Sequence, residues 1–260
     1  MRVGAKSDPG LVRPTNEDRY GVLPGLLVVA DGMGGVQAGE VASQMVVDRL
    51  MTYPFEAPGP EELKAAVAEA NLAIFRAAGE RPEWHGMGTT VTAALLREDR
   101  CFIAQVGDSR AYLIRDGEIR RLTNDHSLVG ELLRNGSISP QEAMLHPQRN
   151  LLTRALGTSA EVLVDLVEVG LMFDDILVLC TDGLTGLVPD EELMAEVLRH
   201  ADPQAAAEGL VGLANARGGT DNITVIVAHL LPPALGLSPG AEASAEDLES
   251  LLALEGVSVR

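Results

Sequence analysis

The chain has 260 residues, 46% of them hydrophobic and 22% charged, which suits one globular domain with a short appendage and excludes a mainly disordered chain. Its 38 acidic residues outnumber 20 basic ones for a formal charge of −18, so the chain repels nucleic acid on average and no nucleic-acid partner is expected. No apolar run approaches the roughly 20 residues of a membrane-spanning helix, and the first residues lack an apolar secretory core, so no membrane span and a cytoplasmic location are expected.

In chain order, residues 26–30 are short and apolar, end at Asp31-Gly32, and read as a buried strand. A helix follows over 39–51, with Ala42, Met45, Val46 and Leu50 on one face. A second runs over 60–78, with Pro60 in its first turn and Leu63, Val67, Ala70 and Ile74 at helical spacing. The signal then turns to strands at 89–96, 101–106, 111–114 and 118–122, the last two joined by the hairpin pair Asp116-Gly117. Residues 123–148 are polar and irregular, in the manner of a mobile flap. Strands return at 162–169 and 176–181, helices at 189–199 and 203–216, and a closing strand at 222–231.

At Pro232-Pro233 the composition shifts, so the domain is expected to end near 231, with a Pro/Gly linker at 232–242 and an acidic tail at 243–260. Within that tail 244–254 has the pattern of a short helix, too short to be stable alone. Cys101 and Cys180 each sit in an apolar run without zinc or redox spacing, and read as core residues in a reducing compartment. Hairpins among the strands imply antiparallel pairing, so an α/β sandwich is expected rather than a doubly wound parallel sheet.

No phosphate-binding Walker loop, HExxH or GxSxG is present. What stands out is aspartate at strand ends: Asp31, Asp108, Asp182 and Asp221 each flank an apolar strand, and Asn16-Glu17-Asp18 adds two more acids. Any one Asp-Gly is most often only a turn, as at Asp116-Gly117. Four such residues at one sheet edge would converge, and converging carboxylates repel unless a cation neutralises them. Hard divalent ions, Mg²⁺ or Mn²⁺, are the natural occupants of an all-oxygen site.

Seven segments then fall into a recognisable order. They are Ser7-Asp8-Pro9-Gly10-Leu11-Val12-Arg13 with Asn16-Glu17-Asp18, Val29-Ala30-Asp31-Gly32-Met33-Gly34-Gly35, Gly88-Thr89-Thr90, Val106-Gly107-Asp108-Ser109-Arg110, Thr123-Asn124-Asp125-His126-Ser127, Leu179-Cys180-Thr181-Asp182-Gly183-Leu184, and Gly219-Thr220-Asp221-Asn222-Ile223-Thr224. Over 2–231 the chain resembles the bacterial type-2C, metal-dependent Ser/Thr protein phosphatases.

The resemblance implies an α+β four-layer sandwich, two central antiparallel β-sheets flanked by α-helices. It implies hydrolysis of phosphoserine and phosphothreonine in proteins, by attack of a hydroxide bridging two Mg²⁺ or Mn²⁺ ions, with a third ion in some bacterial members. Carried over by motif, Asp31 bridges two ions and the Gly32 carbonyl binds one of them. Asp182 and Asp221 complete the other shell, Glu17 and Asp18 act nearby, and Asp108 joins Asp182 at the third ion. Asn222 supports the site. Arg13 clamps the substrate phosphate, since a guanidinium fork matches two phosphate oxygens; without the resemblance a surface ion pair is an equal reading.

The sequence departs from its relatives at the proton donor. Many bacterial members carry His after Gly-Met-Gly-Gly, where this chain has Val36; many eukaryotic members carry His after Asp-Gly, where it has Met33. His126 and a metal-bound water are the substitute candidates for the general acid. The expected partners are phosphorylated proteins, a Ser/Thr protein kinase among them, and a monomer is the default. Two alternatives remain open: a catalytically weak regulatory binding module on the same fold, and a phosphatase of small molecules.

Overall fold

The computed structural model describes residues 1–34, 38–56 and 59–230. A compact unit spans Met1–Leu230. Val36, the linker expected at 232–242 and the tail expected at 243–260 lie outside the described residues.

The chain opens with strands β1 (Arg2–Asp8), β2 (Arg19–Leu23), β3 (Leu26–Ala30) and β4 (Gly32–Met33). Helices α1 (Ala38–Met51) and α2 (Pro60–Glu80) follow, then β5 (Gly88–Thr89), β6 (Val91–Arg97), β7 (Arg100–Val106), β8 (Arg110–Arg115) and β9 (Glu118–Arg121). Two short helices, α3 (Leu128–Arg134) and α4 (Pro140–Leu145), precede β10 (Asp165–Gly170) and β11 (Ile176–Cys180). Helices α5 (Asp182–Thr185), α6 (Asp190–Arg199) and α7 (Pro203–Ala216) lead to β12 (Ile223–His229). Among the described residues no helix is long and apolar enough to cross a membrane.

Two five-stranded antiparallel sheets form the centre, ordered β1-β12-β11-β8-β9 and β10-β7-β6-β3-β2. Their central strands are buried on both faces. On β3, Leu26, Val28 and Ala30 join α1 and α2 in one core, while Leu27 and Val29 turn toward the other sheet. On β11 and β12, Val178, Cys180, Val225 and Val227 meet Leu184, Leu193 and Leu210 of α5–α7. Leu177, Leu179 and Ile226 meet Leu27 and Ile103 between the sheets. Three apolar cores thus separate four layers, helix–sheet–sheet–helix. Strands buried on both faces read as unbroken apolar runs, which is why β3, β7, β11 and β12 were legible in sequence. Both cysteines are free and buried.

The structure departs from expectation in three places. Residues 123–148 are not merely irregular: α3 is capped by Ser127, whose Oγ accepts from Gly130 N–H, and α4 opens with a Ser139–Glu142 capping box. The strand expected at 89–96 is broken at Thr90, whose N–H donates to Asp31 O at 2.9 Å. Edge strands β1 and β2 are not expected from the sequence: β1 is mostly half-buried and β2 mostly exposed, so neither shows a strong apolar alternation. At Gly4 helix α7 comes so near β1 that a Cβ would lie 2.2 Å from Gln204 N.

Register determines where the acids go. Asp8 at the end of β1 pairs with Ile223 at the start of β12, and Val225 pairs with Cys180 at the end of β11, which pairs with Arg110 at the start of β8. In the other sheet Val29 near the end of β3 pairs with Thr92, Val91 with Val106, and Gln105 with Asp165. Each sheet therefore gathers its acid-bearing turns at one end.

Candidate active site

A hydrogen bond from Thr181 Oγ1 to Asp18 Oδ2 (2.8 Å) and one shared by Thr90 Oγ1 and Ser109 Oγ (2.7 Å) tie these strand ends together. Between them lies a cleft of about 370 Å³, lined by Arg13, Glu17, Asp31, Gly32, Met33, Gly34, Thr90, Asp108, Asn150, Leu151, Leu152, Asp182, Asp221 and Asn222. Six of the predicted site residues with Arg13 therefore share one cavity; Asp18 sits just behind it, 2% exposed.

Each carboxylate has a scaffold. Asp31 leaves β3 with its N–H bonded to Thr90 Oγ1 (2.9 Å) and its carbonyl receiving Thr89 Oγ1 (2.8 Å). The Thr181 hydroxyl that donates to Asp18 accepts from Thr224 N–H at 3.0 Å, so its one proton is aimed at the carboxylate. Asp182 begins α5. Glycines permit the crowding: a Cβ on Gly32 would lie 2.2 Å from Gly39 O, and one on Gly183 would lie 1.9 Å from Asn222 O.

Asn222 is a brace. Its Oδ1 accepts from Glu17 N–H (2.8 Å), and its Nδ2 donates to Pro9 O (3.0 Å) and Thr15 O (2.9 Å). It thereby holds the loop that carries Arg13 and Glu17. The Arg13 guanidinium donates to Asp221 Oδ2 at 2.8 Å and is half exposed, so the ion pair and the place on the cleft wall coexist.

The electrostatics are those of like charges forced together. Burial first, then Asp182 and Asp221, push the Asp18 carboxyl up to about 7. Asp31 is raised well above the usual carboxylate range by enclosure and then by Asp18, Asp182 and Asp108. Asp108 and Asp182 are raised for the same reasons, although both keep an edge on the cleft.

Would a cation fit? Among the described residues no three Asp, Glu, His or Cys side chains are already drawn in around one point. Yet Asp18 Oδ1 and Asp182 Oδ1 are buried without any hydrogen-bond partner, a costly state for a carboxylate oxygen. The donors are all oxygen, and their repulsion is the kind that a hard divalent ion removes. The residues fit Mg²⁺ or Mn²⁺.

His126 lies apart from the other expected site residues. It is 1% exposed and absent from the cleft wall. Its Nδ1 accepts from Gly107 N–H and its Nε2 faces Asp165 Oδ2, both at 3.1 Å. Burial lowers its proton affinity below that of ordinary imidazole. Buried, with both nitrogens engaged and no place on the cleft wall, the ring is not placed as the expected general acid would be. Sequence reasoning also missed the hydroxyls of Thr90 and Thr181, the Thr224 N–H that orients the latter, and the wall at 150–152. Threonines inside apolar runs were the available signal for the first group; nothing local marked the second.

The family model described as Protein phosphatase 2C matches residues 15–214. The chain belongs to the protein phosphatase 2C family. Among relatives, the serine/threonine phosphatase stp of Listeria monocytogenes is 42% identical over 241 residues, covering 87% of this chain and 95% of that protein. The serine/threonine protein phosphatase PstP of Mycobacterium tuberculosis is 43% identical over 234 residues, covering 89% of this chain but 45% of the longer relative. A crystal structure of PstP superposes with a TM-score of 0.84 at 42% identity, covering 89% of this chain and 99% of that one. The PstP catalytic domain solved with 2 manganese ions superposes with a TM-score of 0.81 at 40% identity, covering 89% and 98%. The protein phosphatase 2C fold is thus the four-layer sandwich described above.

Proposed function

We propose that this chain is a metal-dependent phosphatase that hydrolyses phosphoserine and phosphothreonine in proteins. The observation that carries the reading is the cleft in which Asp31, Asp108, Asp182 and Asp221 converge beside Arg13, with buried carboxylate oxygens of Asp18 and Asp182 left unpartnered.

Asp31, Asp182, Asp221 and the Gly32 carbonyl would hold two ions, with Asp18 and Glu17 supporting them and Asp108 joining Asp182 at a third. When bound, Mg²⁺ or Mn²⁺ supplies an acidified water and neutralises charge on the phosphoryl oxygens. Thr181 keeps Asp18 turned so that Oδ1 stays available. Arg13 is placed to exchange Asp221 for two oxygens of the phosphoryl group, a charge-assisted fork that orients the substrate. Asn222 holds the loop that presents Arg13.

No cysteine or serine side chain lines the cleft among the described residues, and Thr90 Oγ1 is occupied by Asp31 N–H and Ser109. With the cleft aspartates assigned to the ions, attack by water without a covalent phosphoenzyme is the reading we adopt. No histidine lines the cleft among the described residues either, so we assign the proton for the departing Ser or Thr oxygen to a water there. The full set of acids argues against a catalytically weak binding module. By resemblance, a Ser/Thr protein kinase and its phosphorylated clients are the proposed partners.

The test is phosphate release from a phosphothreonine peptide with Mn²⁺, with Mg²⁺ and with EDTA, beside a panel of phosphorylated metabolites. Release that needs metal, favours the peptide, and disappears in Asp31→Asn while the fold persists is expected. A folded protein that releases nothing with either metal would sink the reading in favour of the binding module, and a preference for metabolites would replace the substrate class.

A further inference from the structure

His126 lies outside the cleft, but it holds the peptide that precedes Asp108. Gly107 N–H donates to His126 Nδ1 at 3.1 Å, and the His126 N–H donates back to Gly107 O at 2.9 Å. A backbone N–H can only donate. Nδ1 is therefore the acceptor, and the ring proton sits on Nε2, facing Asp165 Oδ2 at 3.1 Å. Arg154 donates to the other Asp165 oxygen at 2.6 Å and holds that carboxylate in place.

The held peptide is an unusual one. Gly107 is buried with φ +103°, a backbone shape that favours glycine, and a Cβ there would lie 2.5 Å from Thr90 Cβ. Having no side chain, Gly107 cannot anchor itself by packing. Without the imidazole its N–H would be buried with no acceptor. Asp108 follows directly and lines the cleft. On its other side the His126 carbonyl accepts from Thr153 N–H at 2.9 Å, beside the wall at 150–152.

We propose that His126 is a positioning residue. Its Nε2–H tautomer, oriented by Asp165, holds the N–H of the Val106–Gly107 peptide, while the His126 N–H and Gln105 Nε2 hold the Gly107 carbonyl, and the turn so fixed aims the Asp108 carboxylate at the cleft. It touches neither substrate nor reacting atoms. The inference rests on the phosphatase reading only where metal binding is the readout.

Two substitutions separate the two ring hydrogen bonds. His126→Asn puts an amide oxygen near the place of Nδ1, keeping the acceptor for Gly107 and dropping Asp165. His126→Gln reaches the place of Nε2, keeping Asp165 and stranding the Gly107 N–H. Each loses one bond, so a merely structural role weakens both variants alike. We expect His126→Gln to speed hydrogen exchange at the Gly107 amide about tenfold, and to weaken Mn²⁺ binding in calorimetry about tenfold, the scale of one lost buried hydrogen bond. We expect His126→Asn to stay within about threefold of the parent on both measures, taking the same scale.

Equal effects in the two variants, or unchanged Gly107 exchange in His126→Gln, would overturn the proposal. Should neither variant fold, nitrogen NMR of the ring in the unaltered protein decides: the Nε2–H tautomer supports the assignment, and an Nδ1–H or doubly protonated ring overturns it. A parent protein without metal-dependent phosphate release, but with this tautomer and this contrast in Gly107 exchange, would defeat the phosphatase reading and leave the role of His126 standing.

Discussion

Replacing Asn222 with alanine tests how much of the site is held by one side chain. Asn222 is 6% exposed and makes three hydrogen bonds, to Glu17 N, Pro9 O and Thr15 O, at 2.8, 3.0 and 2.9 Å. At about 1 kcal/mol net for each, Asn222→Ala should destabilise the fold by about 3 kcal/mol. For a domain of this size each kcal/mol moves Tm by about 2–4 °C, so the expected fall is about 6–12 °C. The loop released carries Arg13 and Glu17, so KM for a phosphothreonine peptide should rise as well. Asn222→Asp keeps an acceptor for Glu17 N–H but turns an oxygen toward two carbonyls, and should be no better than alanine. Thermal unfolding in EDTA and steady-state kinetics with Mn²⁺ would measure the two effects separately. A Tm within about 2 °C of the parent, no more than one bond's worth on this scale, together with an unchanged KM, would refute the brace.

Arg13→Ala should mainly raise KM for the phosphopeptide, because the guanidinium borders the cleft and binds Asp221 from a half-exposed position; an unchanged KM returns it to a surface ion pair. Metal removal should make stability depend on pH. Asp18 is raised by burial from 3.8 to about 7, so the folded protein holds the extra proton between those values. Its contribution is present below about pH 4 and lost as pH rises through 7, by about 4 kcal/mol at most. Asp31, Asp108 and Asp182 act in the same direction, and buried His126 opposes them from near pH 6.5 downward. In EDTA the protein should melt higher at pH 5 than at pH 7.5, with the gap closing on adding Mn²⁺; equal or reversed melting temperatures in EDTA contradict the acid cluster. Gly183→Ala should destabilise by more than about 2 kcal/mol, since its Cβ would lie 1.9 Å from Asn222 O; a Tm like the parent's would show that the chain there yields easily.

Much of this protein is decided along the chain. Strands buried on both faces announce themselves as apolar runs, as at 26–30 and 176–180, and Asp116-Gly117 adopts the two positive φ angles its hairpin requires, 53° and 75°. The acids at Asp31, Asp108, Asp182 and Asp221 were visible because each interrupts such a run. Other features depend on tertiary partners. β1 is a strand because β12 and α7 cover it, not because Arg2–Asp8 alternates strongly. Thr181 matters because β12 brings Thr224 N–H to its hydroxyl and Asp18 lies across the sheets. His126 shows the limit most clearly. Its sequence neighbours present it as a polar loop residue and a candidate acid. The fold buries it, gives its two nitrogens to Gly107 and Asp165, and leaves it off the cleft wall. Composition and periodicity act between near neighbours, whereas a proton donor is defined by what faces it across 19 and 39 residues of chain, and that distance is closed only by packing.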